Sequence, residues 1–207
     1  MSLDKAMQFA EQTTRLPILK WRRRSFPFPI GPHLRIAQVM PQSIFEGAEC
    51  FEFGRWHALA AYQPQVLVGP AVELRMLAAR VQEGTIDLSS VDHAVFVTTE
   101  AGGSLLSDVT RVVLWQVFGV PVYELLMGPD GKLLACECQA YEGWHVESQV
   151  KATERNGEIF FAGKAWQVSM KGHLTRCVCA CGQRGIRIVR AEAIDLPQRE
   201  GVLAATA

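Results

Sequence analysis

The chain has 207 residues, 49% hydrophobic and 20% charged, with 21 basic and 21 acidic side chains. That is a globular composition, long enough for one large or two small domains at about 150 residues per domain. A net charge of zero creates no field toward nucleic acid or anionic lipid, so neither is an expected partner.

The N-terminus opens polar at Met1-Ser2-Leu3-Asp4-Lys5 and reads as having no apolar leader. No run approaches the roughly 18 apolar residues of a membrane span. The expected location is therefore the cytoplasm, where thiols stay reduced. Residues 3–14 place Leu3, Ala6, Met7 and Ala10 at i, i+3, i+4, i+7 spacing, which predicts a short helix. Residues 15–32 are rich in Pro and Arg and predict an extended arm. Its basic run, Lys20-Trp21-Arg22-Arg23-Arg24, reads as solvated rather than phosphate-binding.

Residues 34–40 read as a strand. Gln65-Val66-Leu67-Val68-Gly69 is a short apolar run, as expected of a strand covered on both faces. Pro70 then suits a first helical position. Val72, Leu74, Met76, Leu77 and Val81 follow at near-helical spacing, and Gly84 suits the helix end. Residues 93–97 read as a strand, 104–118 as a helix capped by Ser104 or Ser107, and 121–125 as a third strand. Such a series requires parallel strands with right-handed crossovers. After Pro129-Asp130-Gly131 the pattern changes to short strands at 133–137, 144–153, 158–161, 166–170 and 186–189. Asn156-Gly157 supplies a hairpin turn between two of them. The predicted fold is thus α/β: a parallel βαβαβ core followed by a smaller, mostly antiparallel, zinc-containing β subdomain. The expected units are a helix and arm (1–33), the core (34–128), the zinc-stapled subdomain (129–195) and a tail (196–207).

The zinc is read from the cysteines. Five of the six lie in two knots, Cys136-Glu137-Cys138 with His145 following, and Cys177-Val178-Cys179-Ala180-Cys181-Gly182. A tetrahedral Zn²⁺ takes four Cys or His ligands, commonly two pairs brought together by the fold. Gly182 would let the backbone turn under the ion, and Arg184 would offset thiolate charge. The competing reading makes these thiols small buried hydrophobes, since alternate residues of a strand share a face. No C-x-x-C is present to suggest a redox pair. Four protein ligands would make a closed, structural site. Cys50 stands alone and reads as core.

The motifs also carry a resemblance. Tyr62-Gln63-Pro64-Gln65-Val66-Leu67-Val68-Gly69 is similar to a "YNPTVLxG" strand. Phe118-Gly119-Val120-Pro121-Val122-Tyr123 and Cys136-Glu137-Cys138 through Gly143-Trp144-His145 resemble "FG…VY" and "CE…GLH" segments. Gly157-Glu158-Ile159, Thr175-Arg176 and Cys179-Ala180-Cys181-Gly182-Gln183-Arg184 resemble "GEL" and "TRD…CxCGR". In this order, over residues 60–189, the segments resemble the phenylacetate–CoA ligase branch of the adenylate-forming ligases. In some members of that branch a Zn²⁺ is held by the Cys and His of the first segment and the C-x-C of the second. Carried over, the resemblance implies Cys138, His145, Cys179 and Cys181 as ligands, with Cys136 and Cys177 as alternates.

The departures from the family bear on function. No Ser/Thr/Gly-rich loop ending in Lys is present. Thr98-Thr99-Glu100-Ala101-Gly102-Gly103-Ser104 comes closest, at the position of the family's "GAE" turn. The "YGxTE" segment is shortened to Glu124-Leu125-Leu126-Met127-Gly128, and Cys177 replaces the Asp of "TRD". The family's lid domain with its catalytic Lys has no counterpart before Ala207. Adenylyl chemistry depends on those placed cations and donors. The expected function is therefore a non-catalytic or accessory zinc protein derived from a ligase core. Its candidate partners are a small acyl, aromatic, nucleotide or CoA-type ligand, or a protein: a second copy or a separate subunit. A weak ligand site is expected at Thr98, Glu100, Gly102, Gly103 and Tyr123, because open α/β sheets bind ligands at the carboxyl ends of their strands. The alternative is a partial acyl-CoA ligase whose ATP apparatus sits on another subunit. A zinc hydrolase or nucleic-acid module is a third class, and the neutral charge disfavours the latter.

Overall fold

The computed structural model describes residues 34–41, 43–45 and 47–190. The predicted helix at 3–14, the arm and the tail lie outside the described residues. The elements run β1 (Ile36–Gln38), β2 (Glu49–Cys50), α1 (Trp56–Tyr62), β3 (Val66–Pro70), α2 (Ala71–Gln82), β4 (Ala94–Glu100), α3 (Asp108–Phe118) and β5 (Val122–Met127). Then come β6 (Leu133–Glu137), β7 (Trp144–Val146), β8 (Ala152–Arg155), β9 (Glu158–Ala162), β10 (Gln167–Lys171), β11 (His173–Thr175) and β12 (Arg187–Val189). No described helix is long and apolar enough to cross a membrane.

Among the described residues twelve strands form two sheets. The larger has nine, in the order β11-β12-β7-β6-β5-β4-β3-β1-β2, and the smaller is β10-β9-β8. The pairings β2-β1-β3-β4-β5 are parallel. From β5 outward through β6, β7, β12 and β11 every pairing is antiparallel. The antiparallel half is therefore continuous with the parallel half through the β5–β6 hairpin, where the sequence reading set it apart as a subdomain of its own. Only β8, β9 and β10 leave the main sheet.

The parallel strands are apolar because both faces are covered. On one face Leu74, Leu77 and Ala78 of α2 and Leu114 of α3 bury against Val95 and Val97. On the other, Val66, Val68, Phe96, Tyr123 and Leu125 form a second core with Cys136. Ile159, Phe161 and Met170 of the small sheet pack on Leu126, Ala135, Trp144 and Ile188. The Asn156-Gly157 turn has φ of 53° and 76°, the geometry a two-residue hairpin needs, and joins β8 to β9 as read from sequence.

Several boundaries differ from the sequence reading, each for a local reason. Pro70 is the N-cap of α2, with ψ 149°, rather than its first helical residue. Helix α3 starts at Asp108, not residue 104, because the Leu106 amide is turned away to donate to the Glu124 carboxylate at 2.6 Å. Ser107 is the cap, its Oγ accepting from the Thr110 amide at 3.2 Å. The expected strand 144–153 breaks in two at a turn in which the Val150 amide donates to the Glu147 carbonyl at 2.9 Å. Its halves, β7 and β8, belong to different sheets. Cys50, expected in the core, is exposed on the edge strand β2.

Candidate metal centre

Three elements bring the two cysteine knots together. β7 lies between β6 and β12, with His145 paired to Cys136 on one side and Arg187 on the other. Cys138 follows the end of β6, where the Tyr141 amide donates to its carbonyl at 3.0 Å. Cys179 and Cys181 lie on the connection from β11 to β12. There the Gly182 amide donates to the Cys179 carbonyl at 2.8 Å, and Gly182 has a φ of +81°, which favours glycine.

Cys138, His145, Cys179 and Cys181 offer ligand atoms that all lie within 4.8 Å of one another. Cys138 Sγ is 3.5 Å from Cys179 Sγ, and Cys181 Sγ is 3.5 Å from His145 Nε2. A tetrahedral Zn²⁺ with bonds of about 2.3 Å to sulfur and 2.0–2.1 Å to nitrogen gives edges of roughly 3.8 Å (S···S) and 3.5 Å (S···N). The two contacts at 3.5 Å are near those edges, and the four side chains are close enough together to hold a metal ion. The sulfurs also receive donors that suit thiolates: the Gln183 amide lies 3.4 Å from Cys181 Sγ.

The charges around the cluster are arranged for a bound cation. Burial pushes the Cys138 and Cys181 thiols above their ordinary range. Burial, then the nearby Arg187, depresses the His145 imidazole, which keeps it neutral and able to donate a lone pair. Arg187 donates to Glu142 Oε2 at 2.6 Å, and the same oxygen lies 3.7 Å from Cys179 Sγ and 3.4 Å from the Ala180 amide. Arg187 is therefore the cation beside the thiolates, where the sequence reading named Arg184, which is exposed. Nothing in the local sequence marks Arg187, because the β7–β12 pairing that aligns it with His145 spans more than 40 residues.

The alternates stay out. Cys136 is buried in the core against Phe96 and Leu125, with Sγ 3.9 Å from the His145 carbonyl. Cys177 is exposed. Glu137 faces away from the cluster and is committed elsewhere. Both its oxygens take a guanidinium nitrogen of Arg111 at 2.9 Å, and Oε2 also accepts the Glu124 amide at 2.8 Å. Glu124 in turn accepts from Thr99 Oγ1 at 2.8 Å and lies 3.4 Å from Arg190. Arg111 also lies over the Tyr141 ring, which stacks on Tyr123. Sequence reading missed this buried network altogether.

The candidate ligand residues scatter over the carboxyl end of β4 and its following loop and the start of β5. Thr98 is buried and Glu100 exposed. Tyr123 is packed between Phe96 and Tyr141. Gly102 and Gly103 line a cavity of 330 Å³ with Leu105, Glu158, Ser169, Met170 and Lys171, where the β4 loop meets the small sheet.

No protein-family model matches the sequence, and no curated protein matches it. Solved structures do match. A 2-hydroxyisobutyryl-CoA ligase, crystallised in an open conformation with 2-HIB-AMP and CoA, aligns at a TM-score of 0.56 and 13% identity, covering 79% of this chain and 45% of that one. The same ligase in its postadenylation state gives 0.56, 13%, 80% and 45%. The fold of the described residues is thus similar to part of an acyl-CoA ligase. A coronafacic acid ligase from Pectobacterium brasiliense also aligns, over 66% of this chain and 32% of that one at 12% identity, with a TM-score of 0.47 that is too low to carry an argument. The fold and the motif resemblance to adenylate-forming ligases thus agree, and the chain spans less than half the length of the ligases it matches.

Proposed function

We propose that this chain is a zinc-braced, non-catalytic relative of the acyl-CoA ligases that binds an acyl, nucleotide or CoA-type ligand. The observation that carries the reading is a close-set Cys₃His cluster in a ligase-like fold, in a sequence without the family's Ser/Thr/Gly-rich loop ending in Lys. Zinc suits a donor set of three thiolates and one imidazole, which fills all four positions and leaves none for substrate. The ion then acts as a brace: it ties the β11–β12 connection to the end of β6 and to β7. Ligand binding is assigned to the carboxyl end of β4, where Gly102 and Gly103 border the cavity and Lys171 supplies a cation.

Metal analysis, an adenylate titration and an ATP–pyrophosphate exchange assay together test this reading. One zinc per chain, a raised melting temperature with an acyl-adenylate mimic and no exchange are the expected results. Exchange at an ordinary ligase rate would refute the non-catalytic role. The second reading, a partial ligase completed by a separate subunit, draws on the 45% coverage of the matched ligase. It requires exchange that appears only on mixing with that subunit.

A further inference from the structure

Two sulfurs of the cluster admit a second chemistry. Cys138 Sγ and Cys179 Sγ are 3.5 Å apart, and both residues are buried. A disulfide holds its sulfurs about 2.05 Å apart, so the pair has to close by about 1.5 Å. The movement falls on the side that can yield. Cys138 follows the end of β6, where its carbonyl accepts the Tyr141 amide, whereas Cys179 lies among residues 176–186, which hold no helix or strand. The remaining cysteines are placed for other contacts. Cys136 packs with Phe96 and Leu125 in the core, and Cys50 and Cys177 are exposed. Cys181 also faces Cys138 and is the rival partner, but its Sγ is engaged by His145 Nε2 at 3.5 Å and the Gln183 amide at 3.4 Å.

We propose that Cys138 and Cys179 form a redox-dependent staple: under oxidation they join as a disulfide that holds the β11–β12 connection to the end of β6 in place of a metal. The exchange of one link for the other rests on the zinc reading above; the disulfide itself rests on the contact between the two sulfurs. A thiolate is the metal-binding form of cysteine, so a sulfur spent in a disulfide leaves the ligand set and the two links exclude each other. Either link spans the same 41 residues and restricts the unfolded chain alike. With hydrogen peroxide as oxidant, the Cys179 sulfur attacks one peroxide oxygen and the O–O bond breaks. The other oxygen leaves as water with the thiol proton, and Cys179 becomes a sulfenic acid. The Cys138 sulfur then attacks Cys179 Sγ, the S–O bond breaks, and the hydroxyl departs as water with the Cys138 proton. Two thiols are oxidised by two electrons, and one peroxide is reduced to two waters.

The test uses the full chain, stripped by a chelator under reductant, desalted and treated with equimolar hydrogen peroxide. Thiols titrated in denaturant should fall from six to four. Non-reducing peptide mapping, with fragmentation of the linked peptides, should place the bond between Cys138 and Cys179. The stripped, reduced protein should melt about 8–16 °C below the zinc-loaded one, and the oxidised protein should regain most of that difference until a reductant is added. In a competitive dye titration the oxidised protein should take up no zinc, and reduction should restore uptake. Cys177→Ser should behave as the wild type, whereas Cys179→Ser should neither gain the bond nor recover its melt; the map of the wild type decides the matter if Cys179→Ser does not fold. Unlinked sulfinic acids, a bond between any other pair, or an oxidised protein that keeps the low midpoint would overturn the inference. A chain that binds no zinc but gains the bond refutes the zinc reading and upholds the disulfide. A chain that binds zinc but keeps six thiols overturns this inference alone.

Discussion

Removing one ligand of the proposed metal centre should abolish metal binding there and cost a calculable part of the stability. The proposed ion links Cys138 to Cys179, 41 residues apart, and His145 to Cys181, 36 apart. Treated as a cross-link that restricts the unfolded chain, a 41-residue closure contributes about 4 kcal/mol. For a domain of this size each kcal/mol moves the midpoint by about 2–4 °C, so loss of the link should lower it by about 8–16 °C. Cys181→Ala leaves three ligands and tests this directly. Metal content by plasma emission and the melt by circular dichroism should fall together, and a chelator should bring the wild type down to the variant's midpoint. Cys177→Ser supplies the control, because that thiol is exposed and lies outside the cluster, so it should change neither reading. A Cys181→Ala protein with a full complement of metal and the wild-type melt would refute the ligand assignment.

Other consequences follow from the same geometry. Arg111→Met strands the Glu137 carboxylate, whose side chain is 6% exposed, and should cost about 3–5 kcal/mol in urea denaturation. Burial already raises the Glu137 pKa, and Arg111 opposes that rise. Without Arg111 the pKa climbs further, so the variant should be most destabilised at neutral pH and regain stability as the pH falls and the carboxyl takes up a proton. Metal affinity should run the other way. The Cys138 and Cys181 thiols sit above their ordinary pKa, so the metal-free protein holds protons that the ion must displace. The apparent association constant should therefore rise with pH between about 6 and 8, and a flat profile in a competitive chelator titration would contradict thiolate ligation. Gly143→Ala should prevent normal folding, because a Cβ there runs into the Ile188 carbonyl oxygen at a φ of +107°. An alanine variant with the wild-type spectrum and melt would show that the β7–β12 contact is looser than described.

The parts of this fold written in local patterns were legible, and those made by distant pairing were not. β3, β4 and β5 announce themselves as short apolar runs separated by helices at 3.6 spacing, and Asn156-Gly157 fixes a hairpin by backbone chemistry alone. The two cysteine knots were visible because five thiols in so few residues are unusual. Selecting four of the six candidate ligands needed more than spacing. Cys136 and Cys138 are two residues apart and so share a face if the strand continues, but β6 ends at Glu137 and the chain turns at Cys138. Cys136 stays in the core and Cys138 swings to the cluster. Arg187, Glu142 and the Arg111–Glu137 pair were invisible for a further reason: single charged residues carry no period, and their partners are 26 to 45 residues away.

The buried ion pair and the proposed metal centre of the antiparallel half lie at different depths, and that difference separates what each would hold. The Arg111–Glu137 pair ties α3 to β6 from within, with both partners largely desolvated, so its loss leaves a charge with nowhere to go. A metal on the proposed cluster would tie the far connection, residues 176–186, to the surface end of the same strand. The described part of that connection holds no helix or strand. A segment that buries little apolar area cannot offset its own conformational entropy, and a metal or a disulfide is the usual remedy. Wherever thiols stay reduced, a metal rather than a disulfide is the remedy open to such a segment. The ion and the ion pair should therefore fail separately. Chelation should release residues 176–186 to rapid hydrogen exchange while β3, β4 and β5 stay protected, whereas Arg111→Met should lower protection across the whole sheet. If chelation instead unfolded the parallel strands in the same step, the cluster would be part of the folding core rather than a brace at its edge.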